Sequence, residues 1–495
     1  MVSVAEESET HTKGFEGAPA TNTKMSVAKY LTTRVTNLKP PMTPAGNPVK
    51  QLRLLDREQW AFFAVAWCGW VWDAFDFFTV SLTVTQLAKD FQKSNSEITW
   101  GITLVLMLRS VGSFTFGLWS DRSGRKWPFI WNNVLFIVLE LATGFCKTYD
   151  QFLACRALFG IAMGGLYGNA ASTALEDSPP KARGILSGLF QAGYPAGYLL
   201  ATAFFRALVD TTPHGWRPLY WFGACPPILI IIFRMMLPEN RSWRERESVT
   251  PTRSSASKFL SEAKNAIIKN WLTVIYMVAL MAGFNYMAHG SQDFYPTMLI
   301  NQYQFSANKI TVVQVLANLG AMSGAIVMGH LSEIFGRRLT IITSCLLAGA
   351  VLYPYTFISS DAVIAPAFFL QFFVQGAFGV IPSYLIELSP DYLRAFIVGT
   401  AYQLGNLASS PAATIQAAIG EQYYPLAPTA KGVRRYNYAI VICAFEGACI
   451  ALVIILIFLG PERKGRELGA IDGSDKIGSD DVDEKITRAS HYEAV

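Results

Sequence analysis

Twelve hydrophobic runs divide the chain, each long enough to cross the hydrocarbon core of a bilayer. Six fall at about 60–88, 97–119, 128–146, 151–175, 185–207 and 217–237, and a polar stretch follows them. Six more fall at about 271–298, 309–331, 339–358, 362–386, 395–418 and 437–459. Trp and Tyr stand at several ends, where amphipathic rings settle at the membrane–water boundary. Within lipid such runs satisfy their backbone groups as helices, so the pattern predicts an all-α integral membrane protein with 12 transmembrane helices. An even count puts both termini on one side. The expected organisation is a disordered N-terminal tail (1–58), a six-helix bundle (59–238), a central loop (239–269), a second six-helix bundle (270–460) and a disordered C-terminal tail (461–495).

Composition supports this reading. Of 495 residues, 52% are hydrophobic and only 16% charged, and mean hydropathy is +0.29. That is little charge for soluble domains of this total size. A net charge of +5 needs no nucleic acid to explain it, because the basic residues sit mostly between hydrophobic runs. One set of loops carries Arg122, Arg125, Lys126, Lys181, Arg183, Arg337, Arg338 and Arg394, and the central segment adds seven more from Arg241 to Lys269. The opposite loops are poorer, with Lys89, Lys93, Lys147 and Lys309, although Lys431, Arg434 and Arg435 dissent. The balance places both tails and the central loop in the cytoplasm. Seven scattered cysteines show no metal-like spacing and read as small packing residues. No cleavable signal peptide is recognised at the start. No metal cluster, nucleophile elbow or phosphate loop points to an enzyme, and no cofactor is expected.

The two sets of six repeat each other. Gly117-Leu118-Trp119-Ser120-Asp121-Arg122-Ser123-Gly124-Arg125-Lys126 follows the second run, and Gly329-His330-Leu331-Ser332-Glu333-Ile334-Phe335-Gly336-Arg337-Arg338 follows the eighth. Glu176-Asp177-Ser178-Pro179 with Arg183 is echoed by Glu387-Leu388-Ser389-Pro390 with Arg394. An internal duplication of six helices fits a two-halved transporter with its site between the halves, near the midplane. These motifs, with Leu237-Pro238-Glu239 and Gly460-Pro461-Glu462-Arg463-Lys464-Gly465, resemble the major facilitator superfamily over roughly 60–465. Glycines here allow close helix approach, while acids and bases can latch helix ends. Gly117, Asp121, Arg122, Gly124, Arg125, Glu333, Gly336, Arg337 and Arg338 are therefore the expected gate.

An ionisable group in hydrocarbon costs at least about 2.5–3.5 kcal/mol, so each one needs a reason. Asp73, Asp76, Arg109, Glu140, Arg156, His289, Asp293 and Glu446 all fall inside runs. Arg109, mid-run, presents a planar fork suited to a carboxylate. It reads either as a substrate contact or as the structural partner of Asp73 or Asp76. Those two acids lie at i, i+3 and face one seam, where paired carboxylates in low dielectric can handle a proton. The other reading keeps them ionised against Arg109. Arg156, beside Asp150, reads as an interhelical or snorkelling residue, or as a second basic group for substrate.

The seventh run ends Asn285-Tyr286-Met287-Ala288-His289-Gly290-Ser291-Gln292-Asp293-Phe294-Tyr295-Pro296-Thr297. Asn285, His289, Asp293 and Thr297 step by four and form a polar stripe on one helix face. Pro296 removes a backbone hydrogen bond to residue 292, so a bend is expected there. Histidine between Asn and Asp supports a proton or anion site. Gln403 and Asn406, at i, i+3, add two amides able to hold an anion, or to glue helices together. Gln191 and Tyr194 are weaker candidates of the same kind.

This segment resembles the signature of fungal lactate/pyruvate:proton symporters (the Jen-type carboxylate permeases), N-x-x-[S/T]-H-x-[S/T]-Q-D-x-x-x-T. Asn285, His289, Ser291, Gln292, Asp293 and Thr297 match, and Ala288 replaces the usual hydroxyl residue. Trp70-Val71-Trp72-Asp73-Ala74-Phe75-Asp76-Phe77-Phe78 is similar to the same family and to its sialic-acid transporter relatives. The resemblance implies a plasma-membrane importer of short carboxylates coupled to protons. Arg109, Asn285, His289, Gln292, Gln403 and Asn406 would bind substrate, and His289, Asp293, Asp73 and Asp76 would couple protons. One proton cancels the anion's charge, which otherwise opposes a negative-inside potential. A dicarboxylate carrier for succinate or malate, using Arg156, is the rival within transport. A non-transporting carboxylate receptor is the rival outside it. The acidic stretch Asp472–Glu484 and lysines 13, 24, 29, 39, 464, 476 and 485 are possible sites for ubiquitin ligase and endocytic machinery.

Overall fold

The computed structural model describes residues 27–38, 46–93, 95–209, 211–249, 261, 264–265, 267–390, 393–428 and 434–466. Two short helices, α1 (Val27–Thr36) and α2 (Pro48–Leu52), precede the first bundle. That bundle contains α3 (Arg57–Phe91), α4 (Asn95–Ser123), α5 (Lys126–Gly144), α6 (Tyr149–Gly164) and α7 (Leu166–Leu175). It continues through α8 (Arg183–Gln191), α9 (Gly193–Leu208), α10 (Arg217–Gly223) and α11 (Pro226–Met236). A polar helix, α12 (Arg241–Val249), leads to the second bundle. This holds α13 (Trp271–Gln292), α14 (Tyr295–Asn301), α15 (Ala307–Phe335), α16 (Arg337–Phe357), α17 (Ile364–Gly379) and α18 (Ile381–Leu388). It closes with α19 (Arg394–Ser409), α20 (Ala412–Tyr423) and α21 (Tyr438–Leu459). Before α21, strands β1 (Pro425–Leu426) and β2 (Arg435–Tyr436) pair antiparallel.

Among the described residues, eight helical spans are long and apolar enough to cross a membrane. The other four hydrophobic runs are helical as well, and three of them are broken. Gly165 separates α6 from α7, Ala192 separates α8 from α9, and Ser410-Pro411 separates α19 from α20. Proline explains several interruptions, since Pro195, Pro296 and Pro382 each lack the N–H that would continue the preceding turn. The expected bend at Pro296 is a full break between α13 and α14. Large side chains such as Leu229, Met236, Ile275, Leu346 and Leu452 face outward. An apolar exterior of this kind suits lipid rather than water.

The halves meet along two mirrored seams, α4 with α19 and α15 with α8. Glycine makes the approach possible: a Cβ at Gly117 would lie 2.8 Å from Phe396 Cα, and one at Gly329 2.7 Å from the Gly184 carbonyl. Gly124 and Gly336 serve differently. Both adopt positive φ, 91° and 90°, where glycine is unstrained, and so turn the chain between α4 and α5 and between α15 and α16.

The described parts of the tails, 27–38, 46–58 and 461–466, are tied to the bundles. Inside 1–58, α1 is helical and Tyr30 Oη donates to the Leu459 carbonyl at 2.8 Å. Arg34 Nη1 donates to the Gly460 carbonyl at 3.2 Å. The last carbonyls of α21 have no partner within their helix, and α1 supplies donors to them. At residue 56 a capping box opens α3: Asp56 Oδ1 accepts from Gln59 N at 2.8 Å, and Gln59 Oε1 from Asp56 N at 3.0 Å. Residues 461–466 are also tied down, Arg466 Nη1 donating to the Ser389 carbonyl at 3.0 Å. Burial pushes the Glu462 carboxyl above the usual carboxylate range, against the Arg338 amide that holds it down. The acidic stretch and lysines 13, 24, 39, 476 and 485 lie outside the described residues, and Lys464 is only partly exposed.

Glu239 caps the α5 start, accepting from Arg125 N at 2.8 Å and Lys126 N at 3.0 Å. Loss of a helix cap costs about 0.5–2 kcal/mol, so Glu239→Ala should lower the melting temperature in detergent measurably. Arg122→Ala should leave it unchanged, because Arg122 is exposed.

Candidate functional site

The polar stripe of α13 builds the second half's share of the centre. His289 Nδ1 lies 2.8 Å from Asp293 Oδ2, and its Nε2 lies 3.3 Å from Asn406 Oδ1. Asn406 Nδ2 donates to Gln403 Oε1 at 3.0 Å. Four of the expected residues thus form one continuous chain across α13 and α19. Asn285 Nδ2 donates to the Tyr402 carbonyl at 3.3 Å, one residue before Gln403. Gln292 turns elsewhere, donating to Gln371 Oε1 at 2.9 Å on α17, and Gln371 in turn donates to Ser291 Oγ. Thr297, beyond the helix break, is exposed.

The first half contributes Arg109, whose Nη2 lies 4.0 Å from Asp73 Oδ2. That is a loose ion pair, beyond hydrogen-bond reach. The guanidinium also donates to Met163 Sδ at 3.1 Å and lies 4.9 Å from the Phe77 ring centroid, while Nε has no hydrogen-bond partner. Both Asp76 oxygens and Asp73 Oδ1 are buried without a hydrogen-bond partner. Arg156 is not paired with Asp150: Nη2 reaches Glu140 Oε1 at 3.4 Å and donates to Thr143 Oγ1 at 2.7 Å. In the second half Glu446 is fully buried, and neither oxygen has a hydrogen-bond partner.

The halves are joined at this level by aromatic rings that sequence reading left as general packing. Tyr167 stacks on Tyr402 across the seam with centroids 3.8 Å apart, and Trp70 meets Tyr402 edge-on at 6.1 Å. Trp70 also lies 5.4 Å from Tyr194. Trp70 is one helical turn from Asp73, and Tyr402 directly precedes Gln403. The rings therefore pack between the Arg109 and His289 clusters. Abundance alone gave no signal for them, because aromatics occur throughout.

Toward the face where α1 meets the end of α21, hereafter the terminal face, the gate motifs meet as a pair of mirrored networks. Arg125 Nη1 pairs with Asp121 at 2.6 Å and Nη2 with Glu176 at 3.2 Å, and Arg394 Nη1 reaches Glu176 at 2.8 Å from the other half. Arg337 pairs with Glu333 at 2.7 Å and Glu387 at 2.9 Å, and Arg183 reaches Glu387 at 3.4 Å. Asp121 and Glu333 also cap a helix of the opposite half. Asp121 accepts from Ala395 N at 3.2 Å and Phe396 N at 2.8 Å, and Glu333 from Gly184 N at 2.5 Å. Carboxylates are favoured at such helix starts. Arg338 instead donates to the Ile457 and Phe458 carbonyls, and Arg122 stays at the surface. This face of the cleft is shut.

Two pseudo-symmetric helical halves, shut at one face around a buried charged centre, define a membrane transporter rather than an enzyme. The chain matches the Major Facilitator Superfamily over residues 66–413 and again over 275–478, and it belongs to that family. A Saccharomyces cerevisiae protein named carboxylic acid transporter protein homolog is 38% identical over 442 residues, covering 86% of this chain and 71% of its own. The sialic acid transporter NanX of Escherichia coli is 25% identical over 391 residues, 78% of this chain and 92% of its own. In fold, the xylose transporter XylE from E. coli superposes with a TM-score of 0.63 at 16% identity, over 83% of this chain and 100% of that one. Among the described residues no group of three or more His, Cys, Asp or Glu is arranged to hold a metal ion.

Proposed function

We propose that this protein is a proton-coupled symporter that imports short-chain monocarboxylates such as lactate and pyruvate by alternating access. The observation that carries the reading is the unbroken chain Asp293–His289–Asn406–Gln403 facing a first-half centre with Arg109. Arg109, Asn285, Gln403 and Asn406 hold the carboxylate, and His289 and Asp293 couple its occupancy to a proton. Asp73 and Asp76 serve the same coupling in the first half. Gln292 acts on the site through its hold on Gln371. The likeness to the yeast carboxylic acid transporter homolog supports this substrate class.

The chain has twelve spans in two bundles, 59–238 and 270–460, and lies in the plasma membrane with both termini cytoplasmic. Basic residues concentrated at the terminal face support that orientation, and the tails offer lysines to ubiquitin ligases. Alternating access follows from the paired latches, which release as the halves rock. A dicarboxylate would need a second free cation. Arg156 is held by Glu140 and Thr143, which favours the monocarboxylate.

The test is uptake of labelled lactate in cells lacking their own carboxylate carriers, at external pH 5 and 7. Uptake should be faster at pH 5, collapse with a protonophore, and yield to pyruvate more than to succinate. Stronger inhibition by succinate would move the assignment to dicarboxylates, and the absence of uptake by correctly localised protein would favour a receptor.

A further inference from the structure

The shut terminal face leaves the question of how an anion arrives from the opposite side. At that end of the seam lies a cavity of about 160 Å³, its walls drawn from both halves. Tyr198 and Thr202 come from α9, and Thr311, Gln314 and Asn318 from α15. Pro296, three residues beyond Asp293, forms part of the wall. Above it Arg206, in the last turn of α9, crosses the seam and donates from Nη2 to Thr311 Oγ1 at 3.3 Å.

The charges around this mouth are unequal in a telling way. Arg217 is paired with Asp90 at 2.9 Å, Lys93 with Glu97 at 3.1 Å, and Lys309 with Asp361 at 2.6 Å. Each of those cations is largely cancelled by its acid. Arg206 is exposed and, among the described residues, forms no ion pair. Beneath it the cavity presents the Gln314 amide, which can donate hydrogen bonds to an anion without adding charge, while the Thr202 hydroxyl donates to the Tyr198 carbonyl at 3.0 Å. The cavity wall is continuous with the packing of the centre. Tyr198 stacks on Phe78 with centroids 4.1 Å apart, and Phe78 lies 5.4 Å from Tyr194, which borders Trp70 of the central floor. Asp293 keeps a side chain 41% exposed, so the acid end of the His289 chain stays accessible, while Arg109, Gln403 and Asn406 are buried.

We propose that this seam cavity is an arrival site for the carboxylate anion, with Arg206 as its attracting cation and the Gln314 amide as a neutral donor. The assignment rests on the carboxylate reading above. An exposed cation acts over about one Debye length, 8–10 Å at physiological salt, and raises the local concentration of a counter-ion at a cleft. Its effect therefore falls on capture rather than on the translocation step.

The experiment is initial-rate uptake of labelled lactate by wild type, Arg206→Gln, Arg206→Lys and Gln314→Ala, at low and high ionic strength and constant pH. Arg206→Gln should raise KM several-fold at low salt with the maximal rate unchanged, and Arg206→Lys should restore most of the loss. Wild-type KM should climb with salt, and that of Arg206→Gln should stay nearly flat. Gln314→Ala should raise KM at both salt concentrations. Unchanged KM and salt response in Arg206→Gln would overturn the proposal. So would a fall in maximal rate at constant KM, which would make Arg206 only a clasp on Thr311. Wild type that transports no carboxylate would fail the reading beneath the proposal, a result separate from either of these.

Discussion

Asp293→Asn is expected to abolish proton-driven accumulation of substrate while leaving the protein folded, inserted and able to exchange. The hydrogen-bond count at His289 explains why. Asn406 donates one amide proton to Gln403 Oε1 and turns Oδ1, which can only accept, toward His289 Nε2, so Nε2 carries the hydrogen of that bond. Nδ1 then faces Asp293 Oδ2 at 2.8 Å. Either Nδ1 carries a second proton and donates to the carboxylate, or the carboxylic acid donates to Nδ1. In both arrangements the pair holds one proton more than a neutral imidazole beside a free carboxylate. Asparagine keeps the shape and can donate to a neutral ring, but it cannot release or accept that proton. Lactate counterflow between preloaded vesicles and medium should persist, while the inside-to-outside ratio under an imposed pH gradient should fall to about one. Normal accumulation by a correctly inserted mutant would remove Asp293 from the coupling pathway.

The legibility of this centre in sequence depended on whether the relevant partners share a helix. His289 and Asp293 are at i, i+4, and helical geometry alone places them together. Gln403 and Asn406 were legible in the same way. Gln292 stood in the same string, yet its helical phase carries it toward α17, where Gln371 takes it. Arg156 was read against its sequence neighbour Asp150, but the acid that meets it, Glu140, comes from another helix. The duplication exposed both gate motifs because the same residues recur in register. What the repeat could not reveal is that each acid caps the opposite half, since that depends on how two bundles dock. The stacking of Tyr167 on Tyr402 is hidden for the same reason. The order in α1 escaped notice because its contacts are carbonyls at the far end of α21.

That crossed capping supplies the second large prediction. Only contacts that differ between two conformations shift their balance. Asp121 with Arg125 lies within one half, so that pair survives opening. The bonds from Ala395 N and Phe396 N to Asp121, and the Arg394 pair with Glu176, are lost when the terminal face opens. Hydrogen bonds to a charged group contribute about 1.5–3 kcal/mol each. Asp121→Ala removes two of them and should shift the equilibrium toward the open state by about 100-fold or more. A cysteine at Ser187 reports this, since Ser187 Oγ donates to the Gly379 carbonyl and accepts from Ser383 N across the seam. In a background without other reactive thiols, an impermeant maleimide applied from the terminal side should label Asp121→Ala far faster than the parent. Uptake from the opposite side should fall, because a carrier resting with that face open rarely presents its site outward. Asp121→Asn keeps one acceptor oxygen and should give an intermediate rate. Glu333→Ala, which removes the bond from Gly184 N, should act in the same direction through the mirrored seam. Equal labelling in all four proteins would mean that the buried pairs within each half, rather than the caps between them, hold the face shut.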